Sequence, residues 1–122
     1  MANLQNFAGM NSNDINTKII LFFENIQKYY GSKTEISEAI FILNESNNDK
    51  LKTWNLSEFT LIRSAYRENG QRFMLEGAAM YYEIAAKNIS NLEETGRNKF
   101  EFTEQYSDAV FRTTKIRFHC KY

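Results

Sequence analysis

The side chains best suited to chemistry lie at the end of the chain, in "RTTKIRFHCKY", residues 112–122, where the only histidine, His119, precedes the only cysteine, Cys120. Read with the two-residue period of a strand, Lys115, Arg117, His119 and Lys121 share one side, while Ile116, Phe118, Cys120 and Tyr122 share the other. Cys120 and His119 therefore point apart, and a direct Cys–His nucleophilic pair is excluded within that strand. Two chemistries remain. With Arg112, the cationic side can grip phosphates as a nucleic-acid ribbon. Alternatively, His119 can cleave RNA by acid–base chemistry, for which an imidazole is suited, with Lys115, Arg117 or Glu101 as its partner. Against both stands the reading that Lys and Arg occupy the solvated face of a terminal strand, with Glu101 on the neighbouring strand pairing across to it.

The second group of candidates is aromatic. Trp54, Tyr82 and Tyr106 fit partly exposed positions and, with Tyr81 and Tyr122, are the candidates for a protein interface, since exposed Tyr and Trp are typical protein-contact residues. Tyr29 is expected to be partly exposed as well, whereas Phe22, Phe23, Phe59, Phe73, Phe100 and Phe118 fit core positions. "EGAAMYYEIAAK", residues 76–87, combines small residues with two tyrosines, a pattern that lets another helix approach closely. On a helix Tyr81 and Tyr82 diverge by about 100°, so one of them looks outward.

These side chains need elements to hold them. After a polar arm at 1–12, Ile15, Ile19, Phe22, Phe23, Ile26 and Tyr30 recur at helical spacing, which predicts a helix over about 14–30 ending at Gly31. "SKTE" at 32–35 has the form of a capping box, opening a second helix over about 33–44 that buries Ile36, Ala39, Ile40 and Leu43. "NESNNDK", 44–50, reads as a loop. Phe59, Ile62 and Tyr66 predict a third helix over about 56–69; Phe73, Gly77, Met80, Tyr81 and Ile84 predict a fourth over about 71–89, broken from the third at Gly70. "SNLEETGRN" at 90–98 ends the helical part. From Lys99 the period drops to two, which predicts an antiparallel hairpin of strands at about 99–106 and 110–122 joined by a turn at 107–109. The expected fold is α+β: a four-helix array, then a hairpin, in a single domain over 13–122.

Composition narrows the classes. The chain has 122 residues, 43% hydrophobic, with Lys plus Arg equal to Asp plus Glu at 15 each, so no overall charge draws it to nucleic acid or an anionic membrane. A single cysteine allows no internal disulfide, and no His/Cys cluster suggests zinc; no metal or cofactor is expected. The start "MANLQNFAGMNSN" lacks the pattern of a signal peptide, and the longest apolar stretch, "IILFF", is too short to cross a bilayer, so the expected location is cytoplasmic with no membrane partner.

Without a catalytic constellation, the leading expectation is a small non-catalytic protein-interaction module acting by surface occupation: an inhibitor, adaptor or assembly subunit, of the kind a phage or mobile element carries. It would bind a protein partner or assemble with itself, using the edges of the C-terminal hairpin. A nucleic-acid-binding protein using the basic strand is the alternative, and a His-dependent ribonuclease the third reading.

Overall fold

A computed structural model describes residues 7–43 and 49–120, with only the backbone described at 7–13 and 49–52. The helical spacing of Ile19, Phe22 and Phe23 belongs to helix α1, Phe7–Asn25, which runs into a single tight turn of 3-10 helix at Ile26–Tyr29. The helix thus begins at Phe7, inside the stretch expected to be an arm. Gly31 then takes φ +89°, a left-handed conformation that suits glycine, and the chain reverses into a strand. Its N–H donates to the Leu61 carbonyl at 2.7 Å, and the Leu61 N–H returns the bond to Ser32 at 3.0 Å.

Beyond this point the fold departs from the four-helix expectation: the described chain is mostly strand. Strands β1 (Lys33–Leu43), β2 (Asp49–Thr60), β6 (Ile89–Gly96), β7 (Lys99–Gln105) and β8 (Val110–His119) form one antiparallel sheet in the order β2-β1-β8-β7-β6. Strands β3 (Arg63–Arg67), β4 (Arg72–Gly77) and β5 (Met80–Ala85) form a second antiparallel sheet in chain order. The segments expected as helices over 33–44, 56–69 and 71–89 are therefore β1, the end of β2 with β3, and the β4–β5 hairpin. The stretch at 90–98 enters β6 rather than a loop. The expected loop at 44–50 lies mostly outside the described residues, as do residues 1–6, 121 and 122.

The final two strands do pair, Phe102 opposite Thr114 and Glu101 opposite Lys115, but not as an isolated hairpin. β8 also pairs with β1 along its length and β7 with β6, so neither has an open edge. Among the described residues, the outermost strands of the large sheet are β2 and β6.

One face of the large sheet carries the core. Ile36 of β1, Leu92 of β6, Phe102 of β7 and Ile116 and Phe118 of β8 are buried there, together with Ile19, Phe22 and Ile26 of the helical segment and Phe73, Leu75 and Ile84 of the small sheet. Phe22 sits edge-on to Phe100 and Phe102 at 4.8 and 5.0 Å between ring centres. Phe23 stacks on Phe73 at 3.7 Å, joining helix to small sheet. Each such ring, once buried, contributes on the order of 1.5–3 kcal/mol. Tyr29 departs from its expected exposure: it is buried, stacked on Phe118 at 3.9 Å, with its hydroxyl donating to Asn98 Oδ1 at 2.8 Å. Both α1 and the small sheet contribute side chains to this one core.

Candidate interaction surface

Alternation along β8 separates its cations. Arg112 has the parity of Thr114, Ile116 and Phe118 and therefore points into the protein, while Lys115, Arg117 and His119 point out. The expected phosphate ribbon of Arg112, Lys115, Arg117, His119 and Lys121 thus loses Arg112. Glu38 on β1 and Glu104 on β7 have the same inward parity, and the three meet across adjacent strands. Arg112 Nη1 donates to Glu38 Oε2 at 2.9 Å; its Nε and Nη2 donate to Glu104 at 2.8 and 3.1 Å.

This ion triad also caps a strand. β5 is an edge of the small sheet, and backbone groups turned away from β4 would lack partners. The Glu83 carbonyl accepts from Arg112 Nη2 at 2.6 Å, and the Ala85 N–H donates to Glu104 Oε2 at 2.9 Å. Glu104 is fully buried, and the Tyr106 hydroxyl donates to it as well, so its lone pairs are well supplied. Burial pulls the guanidinium of Arg112 toward release of its proton, but the hydrogen bond to Glu104 leads the interactions that outweigh it and hold its pKa above the ordinary arginine value. The Tyr106 phenol is pushed up, first by burial and then by its bond to Glu104.

Among the tyrosines, strand geometry replaces the helical offset: Tyr81 and Tyr82 face opposite sides of β5. Tyr82 points inward, bonded to Thr114 Oγ1 at 2.7 Å, with Arg112 over its ring at 5.2 Å. Burial pushes its phenol up to about 12, against the opposing pull of the Thr114 hydrogen bond and the Arg112 charge. Tyr81 is 48% exposed and donates to Glu83, and Tyr106 is exposed near the β7–β8 turn. Tyr122 and Lys121 lie outside the described residues.

The outer face of the large sheet holds the remaining candidates. Cross-strand rows run Leu56–Ser37–Lys115–Glu101 and Glu58–Glu35–Arg117–Lys99: Lys115 faces Glu101 and Arg117 faces Glu35, whereas Glu58 faces Glu35 and Lys99 faces Arg117 as like charges. Lys33 pairs with Glu58 at 3.2 Å, and His119 Nε2 bonds to Glu35. That hydrogen bond is the main reason the Glu35 carboxyl sits below its ordinary value. Next to these rows stands a large apolar pair. Trp54 is 63% exposed and Leu56 60%, two residues apart on the edge strand. The Trp54 indole N–H reaches Ser37 Oγ at 2.7 Å, which lays the ring along the sheet beside a groove of about 320 Å³ lined by Ala39, Phe41, Thr113 and the Glu101 and Lys115 side chains.

A cleft of about 420 Å³ opens between β1, β2 and β5, bordered by Glu38, Asn55, Met80, Tyr82 and Arg112. Its charged groups are engaged: Glu38 accepts from Arg112 and from Asn55 Nδ2, the latter at 3.0 Å. Among the described residues, no three His, Cys, Asp or Glu side chains gather in a way that could hold a metal ion. No helix among the described residues is long and apolar enough to cross a membrane.

Sequence reasoning missed Glu35, Glu38 and Glu104. Glu104 could have been found from the even parity it shares with Phe100 and Phe102, which marks a carboxylate on the apolar side of a strand.

No family model, curated protein or solved structure matches the chain. Among the described residues, the fold is two antiparallel sheets with one long helix. The narrower expectations of an inhibitor or a phage accessory protein are corrected here, since neither the fold nor the comparisons support them.

Proposed function

We propose that this protein is a non-catalytic interaction module that binds a protein partner on the outer face of its large sheet, with Trp54 and Leu56 as the anchors. The carrying observation is their placement. A sheet with one solvated face normally alternates apolar-in with polar-out, yet here two large apolar side chains stand side by side on the solvated face of a free-edge strand. Trp in particular dominates binding energy at many interfaces.

In line with a non-catalytic role, the inward carboxylates of Glu38 and Glu104 are bonded to Arg112 rather than presented to a substrate. The test is a folded Trp54→Ala/Leu56→Ser double variant, compared with a Tyr81→Ala variant, in affinity capture from the source cells. Loss of a captured protein only in the double variant is the expected outcome; equal capture by both overturns the reading.

One observation favours nucleic acid as a second reading. Lys99 stands directly opposite Arg117, and like charges opposed on one face are destabilising unless an anion lies between them. If phosphate fills that role, a Lys99→Ala/Arg117→Ala variant binds RNA or DNA more weakly and with a shallower salt dependence. Unchanged binding and slope remove this reading.

A further inference from the structure

We infer that the partner seated at β2 is a second copy of this chain, added antiparallel along the β2 edge about a two-fold axis at Asn55. This rests on the reading of Trp54 and Leu56 as anchors and names what covers them.

The argument begins with the part of the edge that is open. Among the described residues, β2 pairs only with β1, and no other backbone hydrogen bond reaches positions 53–58. At one end the register slips: Ile40 faces Thr53 and Phe41 faces Leu51, leaving Lys52 as the extra residue of a bulge. Bulges interrupt edge pairing. At the other end Phe59 and Thr60 lie against Gly77, so closely that a Cβ there would stand 2.8 Å from the Phe59 ring and 3.0 Å from the Thr60 carbonyl. The open run is therefore Thr53–Glu58.

Side-chain alternation then restricts the register. Residues directly opposite in an antiparallel pair point to the same face, so a symmetric pairing must be centred on a residue. Centring on Asn55 sets Trp54 opposite Leu56 of the second copy, twice, on the outer face. It sets Thr53 opposite Ser57 on the inner face, so along this five-residue ladder apolar positions meet apolar ones and polar positions meet polar ones. Centring on Trp54 would carry Leu56 to the bulge at position 52, where pairing is interrupted. Centring on Leu56 would oppose Trp54 to Glu58 and carry Lys52 to Thr60, at the covered end.

The resulting assembly is one ten-stranded sheet with both outer faces on the same side. About five residues of ladder and two aromatic–aliphatic pairs bury less than the roughly 1,200 Å² at the lower end of stable interfaces, so the dimer is weak and reversible.

Sedimentation velocity over a concentration series, combined with cysteine cross-linking in a Cys120→Ser background, tests the inference. At the axis, opposed Asn55 Cα atoms lie about 4.5–5.5 Å apart, within the span a disulfide requires. An Asn55→Cys chain is expected to oxidise to a covalent dimer. A Thr53→Cys chain is not, because its two copies sit about 13 Å apart along the strands. Leu56→Lys is expected to weaken self-association about tenfold. A chain that stays monomeric at every concentration, or that cross-links as well through Thr53→Cys as through Asn55→Cys, overturns the second copy. Loss of a different captured protein on Trp54→Ala/Leu56→Ser would then leave the anchor reading standing, whereas monomeric behaviour with unaltered capture would remove both.

Discussion

Replacing Arg112 with Met separates a buried cross-link from a surface cation. Methionine keeps most of the stem while deleting the guanidinium, which makes contacts of 2.9 Å to Glu38, 2.8 and 3.1 Å to Glu104 and 2.6 Å to the Glu83 carbonyl. The Arg112 side chain is only 18% exposed and that of Glu104 is 0% exposed, so the substitution strands a carboxylate where water does not reach it. Breaking a buried pair in this way costs about 3–5 kcal/mol, a large fraction of the roughly 5–15 kcal/mol that holds a domain folded. Were Arg112 part of an outward phosphate-binding ribbon, the same change would stay within about 0.5 kcal/mol. The assay is urea unfolding followed by far-ultraviolet circular dichroism, since Trp54 is already exposed in the folded chain and its emission is a poor reporter. A second variant, Arg112→Met with Glu104→Gln, removes the stranded charge and is expected to be more stable than the single variant. A single variant within about 1 kcal/mol of the parent, or a double variant less stable than the single, refutes the reasoning.

Tyr82 should remain un-ionised until about pH 12 in the folded chain. The pKa is raised, so its contribution is complete below the unfolded value near 10 and is lost as pH rises from there towards 12; that amounts to roughly 2–3 kcal/mol and is read by phenolate absorbance together with alkaline unfolding. Gly77→Ala is expected to cost about 1–3 kcal/mol in thermal unfolding, because the added methyl meets the Phe59 ring and the Thr60 carbonyl. Arg117→Pro should prevent folding altogether, since β8 is paired on both sides; a folded Arg117→Pro chain by circular dichroism would contradict the strand order.

What the sequence disclosed depended on whether one face of each element was wholly apolar. Phe100, Phe102, Ile116 and Phe118 alternate cleanly, and those residues do lie on paired strands. In β1 the inward positions include Thr34 and Glu38, so alternation was broken, and Ile36, Ile40 and Leu43 were left at a spacing that also suits a helix. The polar residue that spoiled the pattern is the one that binds Arg112. The β4–β5 hairpin misled for a different reason. Phe73, Gly77, Met80 and Ile84 fit a helical stripe, but the two-residue turn at Ala78–Ala79 folds the chain back, so that Phe73 faces Ile84 and Gly77 faces Met80 across strands. Gly77 did signal close approach, but the approaching group is Phe59 rather than a helix. The charged triad was hidden because Glu38, Glu104 and Arg112 are far apart in sequence, and only the pairing of β1, β8 and β7 brings them together.

Hydroxyl-radical labelling read by mass spectrometry, peptide by peptide, tests most directly whether the outer face at β2 is the binding surface. The dilute purified chain and the chain in extract of its source cells are labelled side by side. Tyr81 and Ile62, which are exposed and lie outside β2, serve as internal references. The expected result is strong labelling of Trp54 and Leu56 in the dilute chain and protection of both in the extract, with Tyr81 and Ile62 unchanged. Equal labelling of Trp54 and Leu56 in the two samples would contradict the account.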